Sequence, residues 1–377
     1  MHRTWVEIDE RALINNITAL RGLLSPDARF CATVKANAYG HGLREISRIA
    51  ARGGVDAFGV DSLDDALWLR QEFPSALVLV LGYVVRDRLD EVVAGGIHLV
   101  VSESETIRAL ELCAAARATT AYAHLKIDTG TARQGILPEQ LSDFLSDFSS
   151  SPHVSLAGLA THFANIEDTT DTRFANLQFA RFQEVRAAVQ AAGYNPEWIH
   201  CACSAAAILY PDTHGTLVRI GISLYGLWSS DLVEVTTRKH GVPCALEPVL
   251  TWKSRIIQIK SLPAGTPIGY GLTEILKRAS RIALVPVGYW DGYDRGLSSV
   301  AEVLVGGHRC KVMGRICMNM MMIDVSAVPT ISLEQEVVLL GRSGRHQVTA
   351  EQMAAWTGTI NYEIVTRINP TLPRLVV

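Results

Sequence analysis

Residues 31–42 read Cys-Ala-Thr-Val-Lys-Ala-Asn-Ala-Tyr-Gly-His-Gly, an apolar run that ends in a lysine and is followed by a glycine-containing turn. The run Phe30–Val34 is typical of a buried strand, and a lysine at its end is costly to bury unless it has a function. A desolvated lysine loses its proton readily and becomes the amine nucleophile that forms Schiff bases. Spacing alone does not separate this interpretation from a lysine that extends its amine into solvent before an ordinary turn.

A short apolar run followed by a helical pattern recurs along the first part of the chain. Helical patterns lie between the runs, as at Leu63–Phe73 and Thr172–Ala192. This alternation predicts a (β/α)8 barrel. A doubly wound sheet alternates in a similar way, but no Gly-x-Gly-x-x-Gly motif follows the first run. The eight runs are Phe30–Val34, Ala57–Val60, Leu77–Leu81, His98–Val101, Tyr122–Ile127, Leu156–Thr161, Trp198–Cys203 and Leu217–Ile220.

The pattern changes from about Leu246, where strand-like runs follow one another without helices between them. We therefore predict a barrel over residues 9–236 and a mostly antiparallel β domain over 237–377, with Trp228–Pro243 as an irregular linker. The N-terminal residues 1–8 are a further strand, for which pairing with the β domain is an alternative to pairing with the barrel. The β-domain runs are Val249–Ile259, Arg281–Val287, Ala301–Val305, Arg309–Val312, Met320–Val325 and Glu336–Leu340, with one helix at Ala350–Thr357.

Composition restricts the class of protein. The 377 residues carry a net charge of −3 with both signs mixed, which argues against nucleic-acid binding. Seven cysteines, without any Cys-x-x-Cys pair, indicate a reducing compartment and no metal site. The N-terminus lacks the apolar core of a signal peptide, and the longest apolar stretch, Ala76–Val85, is about half a membrane span. We expect a cytoplasmic protein with no membrane partner.

Polar side chains follow several of the predicted barrel strands, at the end where the active sites of this fold lie. Each alone has a structural explanation, such as a core histidine or an ion-pair partner, but their coincidence at five strand ends favours one shared site. Ser204 and the backbone N–H groups of Gly221 and Ile222 suit a phosphate site after strands seven and eight. The polar residues are Lys35, Lys126, Asp128, Arg133, His162, His200, Ser204 and Arg219.

Several motifs resemble those of the alanine racemases, and the resemblance runs from about Trp5 to Arg374. Residues 34–42 resemble the attachment motif for pyridoxal 5'-phosphate in that family. Gly269-Tyr270-Gly271 resembles the motif of its second catalytic tyrosine. Residues 286–293, 314–318 and 359–363 resemble its entrance, substrate-side and C-terminal motifs.

The resemblance implies a role for each matching residue. Lys35 would hold pyridoxal phosphate as an aldimine and act as a base on one face of the substrate. Tyr270 of the partner subunit in a homodimer would act as the base on the other face. The implied cofactor contacts are Lys35, Tyr39, Arg133, His162, Ser204, Arg219, Gly221, Ile222 and Tyr362. The implied substrate contacts are Arg133 and Met318, and the entrance and supporting residues are Lys126, Asp128, His200, Tyr289, Arg295 and Arg315.

The implied function is interconversion of L-alanine and D-alanine, with D-alanine supplied for peptidoglycan. Asn319, Cys203 and Thr131 depart from the family's usual Asp, Asn and Met, which leaves a serine or broader-specificity amino-acid racemase as the alternative. A one-domain pyridoxal-phosphate carrier shares the barrel but lacks the domain that contains Tyr270. A pyridoxal-dependent decarboxylase would carry a glycine triplet and a cysteine beside an aspartate, and neither is evident.

Overall fold

The computed structural model describes residues 2–377, and its contacts divide the chain into two compact units. The barrel unit comprises Ala12–Ala36 and Ile46–Pro248. The β unit comprises the chain up to Arg11, the segment Asn37–Glu45, and Val249–Val377. Residue 1, the first residue of the predicted N-terminal strand, lies outside the described residues. Within residues 2–377, no helix has the length and apolar character that crossing a bilayer requires.

The barrel unit contains eight parallel strands in a nearly closed barrel, which confirms the predicted (β/α)8 fold. Each strand pairs with its neighbour along the chain up to the seventh, and the eighth strand pairs with the first, with Arg219 opposite Cys31. The Thr216 N–H donates to the Ile199 carbonyl at 2.9 Å, which joins the last two strands. The pairing of first and last strands excludes a doubly wound sheet. The strands are Arg29–Thr33, Ala57–Val60, Leu77–Val80, His98–Val101, Ala121–Lys126, Val154–Ala160, Trp198–His200 and Leu217–Ile220.

These strands are apolar because helices cover their outer surface while side chains fill the interior. All four residues of Ala57–Val60 are buried, for example. Cys31, Leu79 and Leu217 belong to one hydrophobic cluster of the barrel core. The helices associated with the barrel strands are Glu10–Arg21, Leu43–Arg52, Leu63–Glu72, Leu89–Ala94, Ser104–Ala116, Leu141–Ser149, Arg173–Ala191, Ser204–Leu209 and Asp231–Lys239, and a short helical turn spans Lys35–Tyr39.

The β unit has the predicted, mostly antiparallel architecture. Its N-terminal strand, Thr4–Ile8, pairs antiparallel with Leu250–Arg255 and parallel with Arg374–Val376. Alternate residues of Leu250–Arg255 are buried, as expected for a strand with one face on a core. The remaining strands are Gln258–Leu262, Pro267–Ile268, Glu274–Ile275, Ser280–Val285, Glu302–Val305, His308–Met313, Met321–Asp324, Glu336–Ser343 and His346–Val348, and the helices are Ala350–Thr357 and Asn361–Thr366.

The predicted irregular linker Trp228–Pro243 was wrong, because a helix occupies Asp231–Lys239. Ser230 caps this helix by accepting a hydrogen bond from the Val233 N–H at 3.2 Å. Acidic residues lie in its first turn and basic residues in its last turn, which suits the helix dipole. Only Val233 and Thr237 are buried, so the apolar periodicity was too sparse to indicate a helix.

The predicted single strand Val249–Ile259 was also wrong, because the chain changes partners in the middle of this segment. Leu250–Arg255 pairs with Glu336–Ser343, whereas Gln258–Leu262 pairs with Ser280–Val285. Ile256 marks the change, and its N–H donates to the Gln335 carbonyl at 3.0 Å. An unbroken run of strand-forming residues gives no signal of such a change, because both halves are equally suited to extended backbone.

Candidate active site

Lys35 begins an unusual turn at the end of the first barrel strand. The next four residues, Ala36–Tyr39, all have φ values between 52° and 54°, in the left-handed region. Left-handed backbone costs about 1–2 kcal/mol for each residue with a side chain. A run of four such residues persists only when surrounding contacts fix it, and strain of this kind concentrates at functional sites.

Contacts within the β unit hold the part of this turn that belongs to it. The Asn37 side chain accepts from the Leu43 N–H at 2.9 Å, and the Asn37 carbonyl accepts from the Gly42 N–H at 2.9 Å. Arg374 donates to the Gly40 carbonyl at 2.8 Å. A Cβ atom on Gly40 would lie 1.9 Å from the Val365 carbonyl oxygen, so only glycine permits this approach.

The Lys35 amine lies in an environment that favours its neutral form. Burial lowers the pKa of Lys35, and the positive charges of Arg133 and Arg219 lower it further, against the opposing effect of Asp61. The neutral amine is the nucleophilic form of lysine. The structure therefore supports the chemistry that was inferred from a lysine at the end of a buried strand.

The loop after the fifth strand is organised by the Asp128 carboxylate. It accepts hydrogen bonds from the N–H groups of Gly130, Thr131 and Arg133 at 2.7–3.0 Å. Burial raises the pKa of Asp128, but these hydrogen bonds outweigh it and lower the pKa on balance. Among residues 2–377, no hydrogen bond or ion pair satisfies the Arg133 guanidinium. The loop thus presents an exposed guanidinium at the same strand end as Lys126.

Arg219 is buried in the barrel and bonded only to neutral groups. Its Nη1 donates to the His200 carbonyl at 2.8 Å and to His200 Nδ1 at 2.5 Å. Its Nη2 donates to the Thr161 carbonyl at 2.8 Å, with His162 Nδ1 at 3.5 Å. No acceptor for Nε lies within hydrogen-bond distance among the described residues. Arg219 therefore keeps a donor free, and none of its hydrogen-bond partners is a carboxylate.

The other predicted site residues of the barrel unit are His162 and those in the loops after strands seven and eight. Burial, together with the charge of Arg219, lowers the pKa of His162 to about 2, so this imidazole is neutral. The Ser204 hydroxyl accepts from the N–H groups of Gly221 at 3.0 Å and Ser223 at 3.4 Å. Its own proton stays available as a donor. The Ile222 N–H makes no hydrogen bond with the described residues, so two donors from adjacent loops are available to one anion.

The remaining predicted site residues lie together in groups on the β unit. The rings of Tyr39 and Tyr362 have centroids 6.0 Å apart. The Tyr289 N–H donates to the Cys317 carbonyl at 3.1 Å, which places the entrance motif beside Met318. Tyr289 and Arg295 line one depression of this unit. Arg315 packs against the turn that contains Tyr270, since a Cβ on Gly271 would lie 2.8 Å from its guanidinium.

Two family profiles together match most of the chain. The family profile described as "Alanine racemase, N-terminal domain" matches residues 8–229, and "Alanine racemase, C-terminal domain" matches residues 249–376. Alanine racemase of Leptospira interrogans serogroup Icterohaemorrhagiae is 38% identical, over 100% of this chain and 96% of the relative. That of Desulfovibrio desulfuricans is 38% identical over 99% of this chain and 98% of the relative.

The chain belongs to the alanine racemase family. It is therefore an isomerase. Among solved structures, the alanine racemase of D-cycloserine-producing Streptomyces lavendulae has a TM-score of 0.93 and 31% identity, with 100% of this chain and 97% of that chain covered. The alanine racemase of Bacillus anthracis with bound L-Ala-P has a TM-score of 0.92 and 33% identity, with 100% of this chain and 95% of that chain covered.

The departures from the usual alanine racemase pattern have local consequences. Thr131 donates its hydroxyl to Asp128 at 3.1 Å, which adds a bond within the Arg133 loop that methionine does not make. Cys203 precedes the helix Ser204–Leu209 and makes no side-chain cap. Asn319 is half-buried beside Met318. None of these changes removes a group that the resemblance assigns to catalysis.

Sequence reasoning missed several residues in and around the candidate site. Asp61 acts on the charge of Lys35, and its position directly after Ala57–Val60 follows the strand-end rule that revealed the others. Within the β unit, Arg374 donates to the Gly40 carbonyl from the far end of the chain, a contact that no local pattern indicates. His124 lies inside a strand two residues before Lys126, and that alternation was an available signal for a polar barrel interior.

Proposed function

We propose that this enzyme interconverts L-alanine and D-alanine, with pyridoxal 5'-phosphate bound through Lys35. The observation that carries the proposal is the group of donors around one strand-end lysine of lowered pKa in the barrel unit. Membership of the alanine racemase family supports it, as does the solved neighbour with bound L-Ala-P. The role that we propose in the cell is supply of D-alanine for peptidoglycan.

The residues present fit this cofactor. The lowered pKa of Lys35 favours the neutral amine, which is the form that attacks an aldehyde. The free hydroxyl proton of Ser204 and the unbonded N–H of Ile222 suit a phosphate, and Tyr39, Tyr362 and Gly221 are proposed to complete its site. The unsatisfied guanidinium of Arg133 suits an anionic oxygen of the cofactor or the substrate carboxylate. When bound, pyridoxal phosphate supplies the electron-withdrawing group that makes the substrate Cα proton acidic.

Racemisation requires a proton to leave Cα on one face and to return on the opposite face. A base held on one face does not easily reach the other, so two bases are expected. Lys35 Nζ is proposed to exchange the proton on one face. We propose that Tyr270 Oη of the second subunit of a homodimer exchanges it on the other. Tyr270 is 73% exposed and Met318 54% exposed in the single chain, which suits residues that complete a site in a partner.

Arg219 is expected to direct the outcome of the reaction. A guanidinium only donates hydrogen bonds and stays protonated, so it supplies no proton to a ring nitrogen that faces it. Many pyridoxal enzymes place a carboxylate there instead. With Arg219 in that position, we expect proton exchange to stay at Cα and transamination to be suppressed.

The test is a racemisation assay of the purified enzyme with L-alanine and L-serine, together with an absorbance spectrum of the bound cofactor. We expect faster turnover of alanine and an absorbance band from cofactor bound to lysine. Turnover of serine at an equal or higher rate would favour the alternative, a serine or broader-specificity racemase. Absence of both the band and turnover would contradict the proposal.

Lys126 is predicted to carry a carbamate. Burial, reinforced by the charges of Arg219 and Arg133, lowers the pKa of Lys126 well below its ordinary value. A neutral amine adds to carbon dioxide and releases one proton, which leaves an anion on the side chain. That anion would accept hydrogen bonds from Arg133, whereas an ammonium would repel it. Asp128 does not make the alternative ion pair, since none joins it to Lys126 and its oxygens bind the loop.

A crystal structure of enzyme prepared with bicarbonate checks this prediction, with density expected beyond the Lys126 nitrogen. Density that ends at the nitrogen, or a chloride ion in the carbamate's place, would contradict it. We also expect Lys126→Met to lower kcat/KM by about tenfold to a hundredfold through misplacement of Arg133. A substitution of the exposed Lys239 is the matched control and should leave kcat/KM unchanged.

A further inference from the structure

Three histidines form a hydrogen-bonded chain through the barrel to Arg219. His98 Nδ1 lies 2.8 Å from His124 Nε2, and His124 Nδ1 lies 2.8 Å from His200 Nε2. His200 Nδ1 in turn lies 2.5 Å from Arg219 Nη1. His98 is the first residue of its strand and His200 is the last residue of its own strand. The chain of histidines therefore extends from the N-terminal end of the barrel towards the candidate site.

The surrounding barrel is shaped to hold this chain. Gly158 faces His124, and a Cβ at that position would lie 2.3 Å from the imidazole Nδ1. The pairing of Ala121–Lys126 with Val154–Ala160 shifts register between Ala123 and His124. At the N-terminal end of the barrel, Tyr122 stacks on His98 with ring centroids 4.6 Å apart and planes 5° from parallel. Branched aliphatic side chains usually fill the interior of such a barrel. Three histidines in this position are therefore unusual and indicate a specific role.

Arg219 sets the direction of hydrogen-bond donation along the three histidines. A guanidinium only donates, so Nδ1 of His200 must accept and its Nε2 must carry the proton. That proton is donated to His124 Nδ1, and the Nε2 proton of His124 is donated to His98 Nδ1 by the same logic. A second proton on His200 or His124 would place two donors face to face. Burial lowers the pKa of His98 to about 4 and those of His124 and His200 well below their ordinary values, which agrees with three neutral rings.

We infer that His98 is a positioning residue for Arg219, which it orients through the neutral imidazoles of His124 and His200. Each ring presents its lone pair towards Arg219, so the aligned dipoles stabilise the buried guanidinium without a carboxylate. The chain of histidines fixes Nη1, and Nε is the donor of Arg219 for which the described residues provide no acceptor. His98 thereby acts on the site from the opposite end of the barrel. Its effect on bound pyridoxal phosphate rests on the proposed function.

The test compares His98→Leu with His98→Asn in enzyme labelled with 15N-histidine. Leucine removes the terminal acceptor, whereas the asparagine oxygen lies near the position of Nδ1 and keeps it. Nitrogen NMR of the unsubstituted enzyme should show Nε2 protonated and Nδ1 bare in all three rings. We expect His98→Leu to shift the His200 Nδ1 resonance and to weaken pyridoxal-phosphate binding about tenfold, as loss of one acceptor in a charged network implies. His98→Asn should keep both near the unsubstituted values.

The controls separate this role from simple packing. His153→Asn alters a half-buried histidine that pairs with Glu111 in the same unit, and it should change neither readout. A lower unfolding temperature of His98→Leu without a shift at His200 would overturn the inference. The inference would also be overturned if His98→Asn changed the His200 Nδ1 resonance and cofactor binding as much as His98→Leu does. An Nδ1 proton on any of the three rings would overturn it too. The tautomers of the unsubstituted enzyme decide the question if His98→Leu does not fold. If the unsubstituted enzyme contained no pyridoxal phosphate, the proposed function would be contradicted. The NMR comparison would still test the role of His98.

Discussion

Lys35→Ala is expected to abolish racemisation in both directions, with a loss of about three orders of magnitude or more in kcat/KM. The substitution removes the amine that is proposed to hold the cofactor and to exchange a proton with the substrate. Both functions are favoured because burial and the neighbouring arginines lower the pKa of Lys35. The measurements are the racemisation rate from each enantiomer and the mass of the Lys35 peptide after borohydride reduction.

Two further lysine variants make the result specific. Lys239→Ala removes an exposed lysine at the end of a surface helix and should leave the rate and the reduced adduct unchanged. Lys35→Arg keeps a positive charge but does not provide a neutral amine, and it should be as inactive as Lys35→Ala. A reducible covalent cofactor in Lys35→Ala would show that another lysine holds it.

The barrel was predictable because its strands are buried on both faces, which makes each one a short apolar run. Ala57–Val60, His98–Val101 and Leu217–Ile220 begin and end at the predicted residues. The β unit was harder to predict at its junctions, because extended segments such as Val249–Ile259 contain no signal for a change of partner. The helix Asp231–Lys239 buries too few residues to show a periodic stripe.

Candidate site residues could be predicted where they lie at the C-terminal ends of barrel strands. They could not be predicted where contacts between residues distant in sequence determine the local structure. Lys35, Arg133 and Arg219 follow the strand-end rule, and so does Asp61, which was overlooked. The left-handed turn Ala36–Tyr39 follows from no local propensity, since alanine and tyrosine disfavour that conformation. It is imposed in part by Arg374 and Asn37, and these contacts exist only in the folded chain.

Mixing Lys35→Ala with Tyr270→Ala subunits is expected to restore activity that neither variant has alone. In a homodimer whose sites combine Lys35 of one subunit with Tyr270 of the other, a hybrid contains one site with both residues intact. Random exchange at equal amounts should therefore recover about a quarter of the unsubstituted activity, since half of the dimers are hybrids and half of their sites are intact.

The physical basis of this expectation is the surface of the β unit. Tyr270, Tyr289 and Met318 are 73%, 45% and 54% exposed in the single chain, a costly arrangement for three large side chains unless a partner covers them. The control is to mix Lys35→Ala with a chain that carries both substitutions, because no hybrid then has an intact site and activity should stay at background. Native mass spectrometry, with one variant carrying a mass tag, verifies that hybrid dimers have formed. Confirmed exchange without recovery would show that each site is built within one chain, and Tyr270 would then have to reach the Lys35 of its own subunit.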